Sequence, residues 1–339
     1  MGNLGRVVLS HTYNNIISVP NLLLAWKEFL RGKRDRADIQ EFEAKLMQNV
    51  LGLHRQLAAK TYKHSAYDAF NISDPKPRNI HKAAVRDRLL HHAIYRLLSP
   101  FFDRTFIHHS YSCRVGKGAY KAMDEFQTFS RSISKNHTRT CWVLKCDVRK
   151  FFASIDQKVL MDILRRSIKD DDSLWLLSEI LSSFHTTRYG VGLPLGNLTS
   201  QLLVNIYMNE FDQFVKHKLK ARHYIRYADD FVLLSADRAW LEAALPQIGV
   251  FLEEHLHLAL HPDKISIRTI ASGVDFLGWV HFPGHRVLRS TTKRRVFRGI
   301  EHAEAKEATV KSYIGLLGHG NTKKLQVRVG IQVDRLRNK

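Results

Sequence analysis

Apolar positions recur at helical spacing from the start of the chain. Leu22, Leu23, Trp26, Phe29 and Leu30 share one face of a segment beginning at Pro20. Phe42, Leu46, Val50, Leu53 and Leu57 carry the same period through a second helix. The charged stretch Arg31 to Arg36 between them reads as a solvated turn, with a phosphate contact as its functional alternative. Tyr62 to Ile72 is strand-like, and the prolines of Asp74-Pro75-Lys76-Pro77-Arg78 mark a turn. A helix is predicted from Val85 to Leu98, ended by Pro100. Trp142 to Asp147 is a short apolar strand ending in a carboxylate, after which Asp156 N-caps a helix carrying Val159, Leu160, Ile163 and Leu164. A loop over Val191–Gly196 leads into a long helix from Thr199 to Leu219.

Two short apolar strands follow, Tyr224–Tyr227 and Phe231–Leu234, joined by Ala228-Asp229-Asp230 in a tight hairpin pattern. Trp240–His255 is helical, and strands are predicted around Lys264–Arg268, Val274–Trp279 and Arg286–Leu288. From Thr291 the chain is basic and mostly helical, broken at Gly315–Gly320. Helices packed on one side of a small antiparallel sheet make the fold class α+β.

Charge narrows the partner. Of 339 residues, 53 are Lys or Arg against 32 Asp or Glu, a net charge of +21 spread along the whole sequence rather than gathered in one juxtamembrane block. That distribution favours a nucleic acid over an anionic membrane surface. The composition, 44% hydrophobic and 25% charged, excludes a largely disordered chain. Cys113, Cys141 and Cys146 have no CxxC spacing, so neither a disulfide framework nor a zinc finger is signalled. No run approaches the roughly 18 apolar residues of a membrane span, and the start MGNLGR lacks a signal-peptide layout. Arg6 stands where a myristoylation site wants Ser or Thr. The expectation is a reduced cytoplasmic or nucleoid-associated protein with no membrane partner.

Two consecutive aspartates at a hairpin tip are an unusual structural turn, because adjacent like charges repel where Asn-Gly or Asp-Gly would fit. A divalent cation resolves that repulsion, and hard oxygen ligands suit Mg²⁺. Asp147, at the end of another strand, supplies a third carboxylate. Three such groups match a two-metal site, whose ions lie roughly 3.5–4 Å apart, activate a 3′-hydroxyl and stabilise departing pyrophosphate. Asp170-Asp171-Asp172, by contrast, reads as a plain loop. The histidines His91-His92, His108-His109 and His255/His257/His261 lack a zinc layout and read as surface or RNA-facing. Gly116-Lys117-Gly118 lacks the Walker spacing. Tyr111, Tyr120, Phe126 and Phe129 sit among Arg and Lys as candidate base-stacking residues, or else, for the last three, as one helix's core face.

In this order the pieces resemble a reverse transcriptase of the group II intron and retron superfamily, over nearly the whole chain. Lys76-Pro77-Arg78 and Arg86-Asp87-Arg88 resemble fingers motifs, and Ser110 to Arg114 with Gly116 to Gly118 the segment before the palm. Asp147–Asp156 (DVRKFFASID) resembles motif A, Gly192–Gln201 (GLPLGNLTSQ) motif B, and Tyr227–Asp230 (YADD) motif C. Lys264 lies in a motif-D-like place, and Phe276-Leu277-Gly278-Trp279 resembles the primer grip.

The resemblance implies a right-hand polymerase: an N-terminal helical extension over 1–60, fingers over 61–140 with part of 171–200, a palm over 141–288 with its hairpin at 224–234, and a small basic helical thumb over 289–339. It implies that Asp147, Asp229 and Asp230, with Val148, hold two Mg²⁺, Mn²⁺ being a possible substitute, and that dNTPs are substrates. Phe151 and Phe152 would contact the nucleotide, Phe152 being placed like the gate that excludes a ribose 2′-hydroxyl. Lys76 and Arg78 are placed to neutralise the triphosphate, and Lys264 to protonate pyrophosphate, its bland alternative being a solvated strand-end lysine. Leu195, Gly196 and Gln201 would border the incoming nucleotide, with Gly192 and Gly196 allowing close backbone approach. Arg114, Tyr227 and the Phe276–Trp279 segment would contact nucleic acid.

Within motif B, Leu195 stands where intron and retroviral enzymes usually carry Gln. The pattern aliphatic-Gly-x-x-x-Ser-Gln resembles diversity-generating retroelement enzymes, which copy a template-repeat RNA with errors opposite adenine for mutagenic retrohoming. Losing a hydrogen-bonding Gln costs roughly 0.5–1.5 kcal/mol of discrimination. Expected partners are template RNA, the cDNA or primer strand, and a small basic helical accessory protein, in a bacterial, archaeal or phage-encoded setting. A retron-like or phage-defence enzyme, an intron enzyme without its maturase extension, and a catalytically idle RNA-binding scaffold remain alternatives.

Overall fold

The computed structural model describes residues 8–72 and 77–337. The chain divides into two compact units, one drawn from 1–108, 148–214 and 249–259, the other from 109–147, 215–248 and 260–339. Among the described residues, no helix is long and apolar enough to cross a membrane.

The first unit is mainly helical. Its N-terminal part holds α1 (Tyr13–Ile17), α2 (Val19–Phe29), α3 (Ala37–Ala44) and α4 (Leu46–Ala58). Leu22, Trp26, Phe29, Val50, Leu53 and Leu57 are buried, as their period requires. The predicted second helix is two, because Lys45 leaves helical geometry (φ −122°, ψ 34°). Asn49 Nδ2 then donates to the Phe42 carbonyl at 3.0 Å, satisfying a group the break exposes. The strand expected from Tyr62 begins only at Asp68: β1 (Asp68–Ile72) pairs antiparallel with β2 (Arg78–Lys82), Ile72 opposite Arg78. Tyr62 itself is a buried core residue.

Next, α5 (Val85–Asp103) runs past Pro100, where sequence predicts its end. Proline removes one amide donor, and burial of Phe101 and Phe102 keeps the last turn helical. The remaining elements of this unit are α7 (Phe151–Ser154), α8 (Gln157–Ser167), α9 (Asp171–Ser182), most of α10 (Leu198–His217) and the end of α11 (Arg238–Leu256). Asp156 caps α8 as predicted, accepting from the amides of Lys158 and Val159 at 2.9 and 3.1 Å. Asp170 is a cap too, with Asp171 and Asp172 in the first turn of α9 rather than in a loop. Acidic groups there complement the positive end of the helix dipole.

The second unit holds the main sheet. Its strands β3 (Trp142–Asp147), β4 (His223–Tyr227), β5 (Asp230–Ser235) and β6 (Ser266–Thr269) are antiparallel in the order β4-β5-β3-β6. One face packs on α6 (Ala119–Ile133), with Phe126, Phe129, Val143, Ile225, Val232 and Phe276 in one core. Tyr111 belongs to that core as well. Burial takes Tyr111, Phe126 and Phe129 out of the base-stacking set and leaves Tyr120, which is exposed.

The predicted strand Val274–Trp279 is instead a hairpin. Leu277 (φ +51°) and Gly278 (φ +86°) turn between β7 (Val274–Phe276) and β8 (Trp279–Phe282), and β9 (His285–Leu288) completes a three-stranded sheet. Positive φ at both central residues is the two-residue hairpin geometry that matches strand twist. Three helices follow, α12 (Ser290–His302), α13 (Glu307–Leu317) and α14 (Lys323–Arg337), so the basic tail breaks at Ala303–Lys306 as well as at the glycines. Their core gathers Val296, Ile300, Leu317 and Val329 around Trp279 and Leu288. A Cβ on Gly320 would lie 2.2 Å from the Trp279 ring, so only glycine fits there.

Candidate active site

The three aspartates meet because of strand register within the second unit. In β3, Val143 and Cys146 are buried and the strand ends at Asp147. In β5 the chain restarts at Asp230, directly opposite Asp147, with Tyr227 of β4 opposite it on the other side. Like charges paired across a sheet are destabilising, and here two are paired with a third, Asp229, next in sequence.

Arg226 fixes the hairpin tip. Its guanidinium is fully buried and donates to the Ala228 carbonyl at 3.1 Å and to Ser110 Oγ at 3.0 Å. Its backbone bonds both ways along the segment before α6, from the Arg226 amide to the His109 carbonyl (3.0 Å) and from the Tyr111 amide to the Arg226 carbonyl (2.9 Å). Ala228 is thereby held at φ +56°, which few non-glycine residues adopt. Sequence reading gave Arg226 no role, and its partner Ser110 lies 116 residues away in the chain.

Positive charge enters from two lysines. Lys264, in the 3₁₀ turn Pro262–Lys264, donates to Asp147 Oδ1 at 2.7 Å, and the His261 amide holds the Asp147 carbonyl at 2.8 Å. Lys145 stands 3.7 Å from Asp230. Lys145 was also unremarked in the sequence, although it lies two residues from Asp147 on the same strand face. Burial pushes the Asp230 carboxyl up to about 7; Asp147 and Asp229 push the same way, and Lys145 opposes them.

Among the described residues no three His, Cys, Asp or Glu side chains converge closely enough to grip one ion. The donor chemistry still fits a divalent cation. The set is all carboxylate, and Asp230 Oδ1 is buried with no hydrogen-bond partner, a state a hard cation relieves.

The other predicted residues divide by unit. Phe276 and Trp279 are buried in two different cores, so only Leu277 and Gly278 of the primer-grip-like segment lie at its turn. Tyr227 is half-buried, and Arg114 Nη1 donates to the Ser110 carbonyl at 3.0 Å. In the first unit Val148 and Phe151 are buried, which removes the Phe151 side chain from the nucleotide-contacting set. Phe152 is half-buried against it, ring centroids 5.5 Å apart. Arg78 is exposed at the start of β2, while Lys76 lies outside the described residues.

The motif-B-like loop is laced to its own unit. The Gly192 and Leu193 amides donate to the Ile155 and Phe152 carbonyls, each at 2.8 Å, and the His81 amide donates to the Leu195 carbonyl at 2.9 Å. A Cβ at Gly196 (φ +107°) would come within 2.9 Å of Ile80, and one at Gly192 within 2.7 Å of Thr186. Both glycines therefore answer to the protein's own packing, not only to an approaching ligand. Leu195 and Gln201 are half-buried. Contrary to the sequence reading, His91 is neither surface nor RNA-facing: it is 1% exposed.

The solved structure of telomerase from Candida albicans, in complex with a fragment of telomeric RNA, is similar in fold, with TM-score 0.51, 13% identity, and 80% of this chain and 55% of that one covered. The α+β architecture is that of a right-hand polymerase. Residues 71–281 match the reverse transcriptase (RNA-dependent DNA polymerase) family, and the chain belongs to it. It is 28% identical to the protein YkfC of Escherichia coli (strain K12) in an alignment 259 positions long that covers 65% of this chain and 66% of YkfC. It is 22% identical to the group II intron-encoded protein LtrA of Lactococcus lactis subsp. cremoris in an alignment 281 positions long that covers 62% of this chain and 44% of LtrA. The chain thus spans less than two thirds of the length of these relatives.

Proposed function

We propose that the chain is an RNA-directed DNA polymerase that copies a template-repeat RNA into cDNA, error-prone at template adenines, for a diversity-generating retroelement. The observation that carries the polymerase reading is the register of Asp147 against Asp230, with Asp229 beside them at an arginine-clamped hairpin tip, in a member of the reverse transcriptase family. Asp147, Asp229 and Asp230 would hold two Mg²⁺, with Mn²⁺ able to substitute. Bound there, the ions supply charge neutralisation for the transferring phosphoryl group and a more acidic primer hydroxyl. Lys264 carries a proton at Nζ within reach of this carboxylate set and is the candidate donor to pyrophosphate. Phe152 sets the preference for deoxynucleotides, and Arg78 neutralises the triphosphate. The finer assignment rests on Leu195, whose apolar side chain cannot make the hydrogen bond a Gln would. Template RNA binding draws on the net charge of +21 and weakens steeply with salt. A small basic helical accessory protein is the expected protein partner.

The test is deep sequencing of cDNA made on a mixed-sequence RNA template with Mg²⁺ and dNTPs, beside an Asp229→Ala control. Product with errors concentrated opposite adenine, absent from the control, supports the whole reading. Accurate product keeps the polymerase and favours a retron-like or defence role. No product, with the cognate RNA and accessory protein added, leaves an RNA-binding scaffold.

A further inference from the structure

The first unit buries a continuous polar chain that the polymerase chemistry above does not use. Asp87 has no exposed surface and accepts from the Tyr62 hydroxyl at 2.8 Å and the Ser65 amide at 3.0 Å. His64 lies beside it, Nδ1 3.9 Å from Asp87 Oδ2. From there the contacts run in single file: His64 Nδ1 to the Ser65 carbonyl (2.6 Å), His64 Nε2 to His91 Nε2 (3.1 Å), and His91 Nδ1 to Thr199 Oγ1 (2.5 Å). The chain begins in the segment before β1, crosses α5 and ends in the first turn of α10.

Hydrogen-bond logic fixes its direction. A carbonyl only accepts, so His64 Nδ1 carries the hydrogen. Burial disfavours the charged form of both rings. A neutral His64 then has a lone pair at Nε2 and accepts, His91 Nε2 must donate, and His91 Nδ1 must accept from the Thr199 hydroxyl. Just before α10, the Leu195 carbonyl accepts from the His81 amide of β2. Asn197 Nδ2 donates to the His81 carbonyl at 3.0 Å, completing the seam. Residues 195–199 are thus gripped from two sides, by His91 at Thr199 and by β2 at Leu195 and Asn197.

We propose that His91, held in its Nε2–H tautomer by His64, is a positioning residue that sets the 195–201 segment through Thr199. This rests on the reading above, in which Leu195 and Gln201 border the incoming nucleotide. Its consequence is a change in nucleotide affinity with turnover kept.

The experiment measures KM and kcat for a dNTP on an RNA template, together with amide hydrogen exchange over residues 195–201. Thr199→Val, which keeps shape and removes the hydroxyl, is expected to raise KM about fivefold, the loss of one buried hydrogen bond, with kcat within about twofold. His91→Gln keeps a donor toward His64, loses Thr199, and is expected to match that rise. The double variant should add nothing further, and Thr199→Ser should restore the wild-type KM. Equal falls in kcat, additive single-variant effects, or no rescue by serine would overturn the proposal. If the wild-type chain makes no cDNA, the polymerase reading fails, and exchange still decides this one. Faster exchange over 195–201 in Thr199→Val and His91→Gln but not in Thr199→Ser supports the grip, and unchanged exchange in all three refutes it.

Discussion

Asp87 and Asp230 are both largely buried carboxylates in a strongly basic chain, yet their surroundings are opposite in kind. Asp87 is surrounded by donors, namely Tyr62, the Ser65 amide and Arg86, and Arg86 with these hydrogen bonds helps hold its carboxyl below the ordinary range against the pull of burial. Asp230 faces two more carboxylates, has one lysine at 3.7 Å, and leaves Oδ1 without a partner. Asp87 is satisfied by the protein, whereas Asp230 is left in deficit, a state that a bound hard cation would relieve.

The largest expected effect is on activity. Asp229→Ala should lower cDNA synthesis about a thousandfold, the several kcal/mol that metal-ion charge stabilisation supplies, read as primer extension. Stability should then part the two aspartates. Asp87→Ala strands the Tyr62 hydroxyl and Ser65 amide in the core and should cost about 3–5 kcal/mol in urea titration, whereas Asp230→Asn should leave the metal-free fold as stable or more so. Equal destabilisation by both would break the comparison.

A smaller effect is acid sensitivity from the satisfied network. Burial lowers the His91 ring from 6.5 to about 3. Below pH 6.5 the unfolded chain takes up a proton that the fold refuses, so stability falls as pH drops from 6.5 toward 3. His91→Gln should flatten that slope in urea midpoints measured at pH 7.5 and 5, numbers chosen to lie about one to two units on either side of the free value. Smallest is fidelity: Leu195→Gln should reduce misincorporation opposite template adenine by about tenfold, and an unchanged error spectrum would sever Leu195 from infidelity.

Much of this was legible in the sequence because it is local. The short apolar run ending at Asp147, the YADD hairpin and the capped start of α8 each need only neighbours to be read, and each is where the sequence put it. What was not legible depends on distant partners. The polarity of His91 reads as surface until Thr199 and His64, 108 and 27 residues away in sequence, supply its bonds. Arg226 carried no role in the sequence, and its burial is intelligible only with Ser110, 116 residues away, beside it. Phe276 and Trp279, adjacent to one turn, part into separate cores because Leu277-Gly278 reverses the chain between them.

Gly320 and the Trp279 ring act as a lock and its key between the last three helices and the strand that carries the ring. Any side chain at 320 closes the keyhole, so these helices are not freely interchangeable parts. A relative could replace them, or a designer graft others, only by carrying across a bare backbone position opposite an equally large ring. The end of this chain should therefore vary in its charged surface and hold still at one glycine.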